Sequence, residues 1–90
     1  MKVKILGSNL CPDTMYALMQ LKGTTAEVEF QNIATEFPSL KIFLNEREHN
    51  PLYDQVKKQG GIGIPFFTLE DGSQTFDLQQ VLRTIKKNSK

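Results

Sequence analysis

The 90-residue sequence predicts an α/β chain in the order β-α-β-α-α-β-β-α, a four-stranded mixed sheet with helices on both faces. Three observations predict it. The first third reads strand, helix, strand, which calls for a parallel, right-handed βαβ unit. The middle reads helical twice, interrupted at Asn50-Pro51. The last third holds a β-prone run, a tight turn, a short return strand and an amphipathic helix.

Each element rests on its own residues. Val3-Lys4-Ile5-Leu6 is the first strand, and Gly7-Ser8-Asn9 is a turn signal. Met15, Leu18, Met19 and Leu21 fall near helical spacing within a helix over 12–22. Lys22-Gly23 gives that helix a basic last turn and a glycine suited to a left-handed cap. Glu27 to Gln31 alternates polar and apolar, so Val28 and Phe30 share one face of a strand. Phe37, Leu40, Phe43 and Leu44 suit one face of a helix running to about Arg47, with Thr35 as its cap and Pro38 in its first turn. Asn50 caps a restart at Pro51, and Leu52, Tyr53 and Val56 form a short helix ended by Gly60-Gly61.

Pro65 has no N–H for a ladder and so stands at the start of the strand Phe66-Phe67-Thr68-Leu69. Glu70-Asp71-Gly72-Ser73 turns the chain, and Gln74-Thr75-Phe76 returns antiparallel. Asp77 caps a last helix over 78–88 with the stripe Leu78, Val81, Leu82 and Ile85. Residues 1–90 make a single domain with one core.

Composition narrows the function. A net charge of +1 makes no electrostatic case for nucleic acid or an anionic membrane. No apolar run approaches the ~18 residues of a membrane span, and the apolar stretch after the first lysines is too short for a secretory signal. With one cysteine no intramolecular disulfide forms, so a reducing, cytoplasmic setting is expected. One Cys and one His are too few for a metal site within the chain, and none is expected. His49 reads as a solvent-facing residue beside the helix break. Gly60-Gly61-Ile62-Gly63 is no phosphate loop, because it leads into a strand without a Lys-Ser/Thr pair. Asp13, Asp71 and Asp77 fall far apart in this reading and suggest no carboxylate pair. No apolar excess calls for oligomerisation, so a monomer is expected.

The chemistry centres on Cys11, where a strand hands over to a helix. Pro12 after it suits the first helical turn. Cys11 then faces unpaired N–H groups and the positive end of the helix dipole, which favour the nucleophilic thiolate. Asp13 opposes that effect. A buried, inert cysteine is the alternative, and both stand at this point.

These residues resemble a known family. A strand, then Cys11-Pro12 opening a helix, then Gly63-Ile64-Pro65 starting a hairpin strand, then Asp77-Leu78 opening the last helix, is similar to a glutaredoxin of the thioredoxin fold. The resemblance covers nearly the whole chain and implies the following roles. Cys11 is the catalytic nucleophile, with Pro12 beside it. Pro65 is a cis-proline lying against the sulfur. The Ile64 backbone pairs with the cysteinyl part of glutathione. Phe76 and Asp77 hold the γ-glutamyl carboxylate at a helix N-terminus, which is a natural anion site.

The chain departs from the family at three places. Its second cysteine position is Thr14, a lysine position is Ser8, and a Gly-Gly pair is Gln74-Thr75. The site is therefore Cys-Pro-Asp-Thr, and Thr14 is either an ordinary first-turn residue or one whose hydroxyl reaches the thiolate. The resemblance implies a monothiol thiol–disulfide oxidoreductase, with glutathione or another low-molecular-weight thiol as co-substrate and thiol or disulfide proteins as partners. No tightly bound cofactor is implied. The alternatives are a non-catalytic binding module of the same fold, which pairs with an extended peptide through Ile64-Pro65, and an iron–sulfur cluster bridging two chains.

Overall fold

The computed structural model describes residues 1–88. The strands are β1 (Lys2–Gly7), β2 (Glu27–Asn32), β3 (Phe66–Leu69) and β4 (Gln74–Thr75). The helices are α1 (Pro12–Lys22), α2 (Phe37–His49), α3 (Asp54–Lys58) and α4 (Leu78–Asn88), and a single 3₁₀ turn, Pro51–Tyr53, precedes α3. The sheet runs β2-β1-β3-β4. β1 and β2 are parallel, with Val3 opposite Val28 and Ile5 opposite Phe30. β3 is antiparallel to β1 and to β4, so the sheet is mixed.

Strand alternation splits the core in two. Val3, Ile5, Phe67 and Leu69 point to one face, where they bury Ala17 and Leu21 of α1 and Val81 and Ile85 of α4. Leu6 and Phe66, opposite one another, point to the other face and bury Phe43 and Tyr53. The helices therefore cover both faces, as expected. On the second face the aromatic cluster lies over the Leu6 end of β1, while Lys2 and Lys4 at the other end are exposed.

Several expectations need correction. α1 buries Thr14, Ala17 and Leu21, while Met15 and Met19 are exposed. A threonine and an alanine fit close to the sheet where methionine would not. Gly23 is not left-handed, with φ −82°. The end of α1 is instead closed by Thr24, whose N–H and hydroxyl both donate to the Leu21 carbonyl, at 3.0 and 2.6 Å. Val28 is exposed because β2 is an edge strand. In α2 only Leu40 and Phe43 of the expected stripe turn inward, and Phe37 is 72% exposed. Thr35 does not cap α2. Glu36 holds the N-cap position, and its carboxylate accepts from Asn32 N–H and Ser39 Oγ.

β4 stops at Thr75, so Phe76 lies beyond the strand and packs 5.0 Å from Tyr53 and 4.9 Å from Phe66, between ring centroids. The restart at Pro51 is as expected: Asn50 Oδ1 accepts from Leu52 N–H at 3.0 Å. Asp77 caps α4, accepting from Gln79 N–H at 2.9 Å. Among the described residues no helix is long and apolar enough to cross a membrane.

Candidate functional site

The site begins with the turn between β1 and α1. Cys11 N–H donates to Ser8 O at 3.0 Å, and Ser8 Oγ accepts from Leu10 N–H at 3.0 Å. This tight turn leaves Cys11 half-buried at the N-cap of α1 with an extended backbone. Pro12 occupies the first turn without needing a donor. The N–H groups of Asp13 and Thr14 have no hydrogen-bond partner among the described residues. Two free donors and the positive end of the helix dipole thus adjoin Cys11, with the exposed Asp13 carboxylate two residues on.

Thr14 takes a structural place. It is fully buried, and its hydroxyl accepts from Ser8 N–H at 3.3 Å. It also sits tight against Gly7: a Cβ at Gly7 would come within 2.6 Å of Thr14 Oγ1 and Cγ2. Thr14 therefore locks the Cys11 turn onto β1. It makes no hydrogen bond to the sulfur. Pro12 is exposed.

The segment facing Cys11 is residues 61–65. Arg47 Nη2 donates to the Gly61 carbonyl at 2.8 Å, and its Nε donates to the Ile62 carbonyl at 3.3 Å. Tyr53 OH donates to the Gly63 carbonyl at 2.8 Å. Two side chains thus hold three successive carbonyls. Gly63 has φ +91°, and any Cβ there would overlap the Tyr53 ring. The Ile64–Pro65 peptide bond is cis. After these bonds, the N–H and carbonyl of Ile64 have no hydrogen-bond partner among the described residues. A half-buried backbone with both groups free has one donor and one acceptor available for pairing.

Gly63 and Ile64 form a ridge between two grooves. One, of about 580 Å³, is lined by Cys11, Ser8, Leu10, Ile33, Ala34 and Ile62, and it is mostly apolar. The other, of about 480 Å³, takes in Pro65, Phe76, Asp77, Tyr16, Gln59 and Asp13. Cys11 and Ile64 therefore share a groove, while Pro65, Phe76 and Asp77 meet Ile64 on the other side of the ridge. Asp13 and Asp77, expected to lie far apart, line the same groove, because the first turns of α1 and α4 both open onto it. Gln74 and Thr75 serve the scaffold. Gln74 accepts from Asn50 Nδ2 at 2.9 Å, and Thr75 Oγ1 accepts from Asp77 N–H at 3.0 Å. His49 ends α2, its ring nitrogen 3.1 Å from Asn45 O, away from both grooves.

Arg47 and Tyr53 are the positioning residues that the sequence did not reveal. Burial holds the Tyr53 phenol protonated far above its usual range, Glu46 adds to this and Arg47 opposes it. The sign follows from proton linkage. A folded-state pKa above the unfolded value of about 10 makes the contribution of Tyr53 complete below that pH, and it is lost as the pH rises further. The melting temperature is thus expected to fall more steeply above pH of about 10 in the native protein than in Tyr53→Phe, as thermal melts across the alkaline range would show.

Over 71 residues the chain is 31% identical to a protein of Haemophilus influenzae described as an uncharacterized protein, a match that covers 79% of this chain and 83% of that one. No family model and no solved structure matches the chain.

Proposed function

Because this chain belongs to the family of that Haemophilus influenzae protein, whose description names no activity, we propose a function from the site itself: monothiol thiol–disulfide exchange at Cys11, on a thioredoxin-type fold similar to the glutaredoxins. The observation that carries it is the pairing, in one groove, of a helix-N-terminal cysteine with the unpartnered N–H and carbonyl of Ile64. The cysteine supplies a nucleophile and the backbone supplies a rail for the cysteinyl part of a substrate.

The Cys11 thiolate attacks one sulfur of a disulfide. A new bond forms from Sγ to that sulfur, the old S–S bond breaks, and the second half leaves as a thiolate that takes a proton from water. A second low-molecular-weight thiol, glutathione or another, then attacks the mixed disulfide and releases Cys11. Each step exchanges one disulfide for another, so no bound cofactor is needed. The free Asp13 and Thr14 N–H groups adjoin Cys11, the residue that attacks and later departs. Arg47 and Tyr53 keep the 61–65 segment in place, so that a substrate half tethered at Cys11 lies against Ile64.

The test is intact mass after exposure to a neutral disulfide such as hydroxyethyl disulfide. One adduct on Cys11, removed again by added thiol, is expected. A thiol that stays unmodified under conditions that convert free cysteine removes the proposal.

A second reading has its own support. The apolar groove and the free Ile64 backbone would also suit a module that holds an extended peptide without reacting. That reading requires peptide binding to survive Cys11→Ser, whereas exchange does not.

A further inference from the structure

Resting on the thiol-exchange reading, we infer that the site selects its small disulfide by charge, taking cationic and neutral disulfides ahead of anionic glutathione disulfide. The two grooves that flank Gly63-Ile64 carry the argument. No charged side chain lines the groove of Cys11. Two carboxylates, Asp13 and Asp77, line the other, and no Lys, Arg or His does.

Among the described residues neither carboxylate forms an ion pair. The Asp13 carboxylate has no hydrogen bond or ion pair among the described residues, and both aspartates are exposed. Asp77 Oδ1 already accepts the Gln79 N–H, so the chain's own carboxylate takes one of the donors at the start of α4 and places a negative charge there. Lys57, on the neighbouring short helix, is 4.0 Å from Asp54 and outside both linings. Ser8, beside Cys11, is buried and uncharged.

A disulfide seated across the ridge, with one sulfur at Cys11, therefore extends toward Asp13 and Asp77. Glutathione disulfide carries two carboxylates and one ammonium in each half, so its net negative charge would meet like charge in that groove. The ammonium groups of cystamine would meet opposite charge. At low salt, about 0.01 M, the Debye length of roughly 30 Å spans such a groove, so the difference enters the rate of attack. The covalent step is the one already written: Cys11 Sγ bonds to one half, and the other leaves as a thiolate and is protonated by water.

The experiment uses the full chain and three probes: cystamine, hydroxyethyl disulfide and glutathione disulfide. The rate of adduct formation at Cys11 is read by acid quench and intact mass. Each rate is divided by that of 2-mercaptoethanol with the same disulfide, which removes the probe's own reactivity. The expected order is cystamine, then hydroxyethyl disulfide, then glutathione disulfide, with about 10-fold between the extremes at low salt. High salt shrinks that span to about 3-fold or less. Asp13→Asn shrinks it at low salt, and Asp77→Asn, which keeps a capping side chain, does the same.

A normalised ratio near one, or one that favours glutathione disulfide, overturns charge selection. So does a ratio that neither substitution moves. Failure of Cys11 to react with any of the three is a separate result: it overturns the exchange reading itself.

Discussion

Cys11→Ser is expected to lower thiol transfer by more than about 10³-fold while the fold stays intact. The hydroxyl of serine is far harder to ionise than a thiol and is a poor partner for sulfur exchange, so the whole cycle stops at its first step. The substitution leaves the scaffold alone. Cys11 is half-buried, makes no side-chain cap bond, and enters the local hydrogen bonding through its backbone, which serine keeps. Stability should change by no more than about 0.5 kcal/mol. Circular dichroism melts matched to the native protein, alongside a transfer assay at background, would be the expected pair of results. Transfer that persists in this variant would place the chemistry elsewhere.

Gly63→Ala is expected to be the most damaging single methyl group in the chain. At φ +91° an L side chain is unfavourable by about 1–2 kcal/mol. Its Cβ would also overlap the Tyr53 ring, which is wedged among Phe43, Phe66 and Phe76 and cannot retreat without loosening that cluster. Overpacking of this kind costs about 1–3 kcal/mol. Together these make a loss of about 2–5 kcal/mol, a large part of the stability of a chain this size. The melting temperature should fall by about 10 °C or more. If Tyr53 moves aside instead, the hydrogen bond to the Gly63 carbonyl is lost and the 61–65 segment shifts against Cys11, so exchange falls even in the folded fraction. A variant with native stability and native exchange would mean that Tyr53 does not position the segment.

Local patterns were enough for the element order, the parallel first pair, the antiparallel hairpin and the Asn50 and Asp77 caps. Each depends on residues close in sequence. The errors arose where tertiary packing decided. Met15 and Met19 have the spacing of a core stripe, but the sheet approaches α1 so closely that Thr14 and Ala17 take those places. Val28 alternates like a buried strand residue, and only its place on the edge strand exposes it.

The site divides in the same way. Cys11 could be found from a cysteine at a strand–helix junction, whereas Ile64 is suggested only by the resemblance to the glutaredoxins. Arg47 and Tyr53 could not, because their partners are backbone carbonyls 14, 15 and 10 residues away. A carbonyl acceptor leaves no mark in sequence. Asp13 and Asp77 are 64 residues apart, and only the packing of two helix N-termini around Gly63-Ile64 puts them on one groove.

The central claim is that Cys11 and the free backbone of Ile64 form one site. Amide hydrogen exchange at Ile64, measured before and after a short cysteine-containing peptide is joined to Cys11 as a mixed disulfide, tests it most directly. Fast exchange in the free protein and marked slowing in the adduct are the predicted results, since the bound chain takes up the Ile64 N–H. An adduct that forms while Ile64 exchanges as before would contradict the claim: the cysteine would be reactive, but the segment facing it would not be its binding surface.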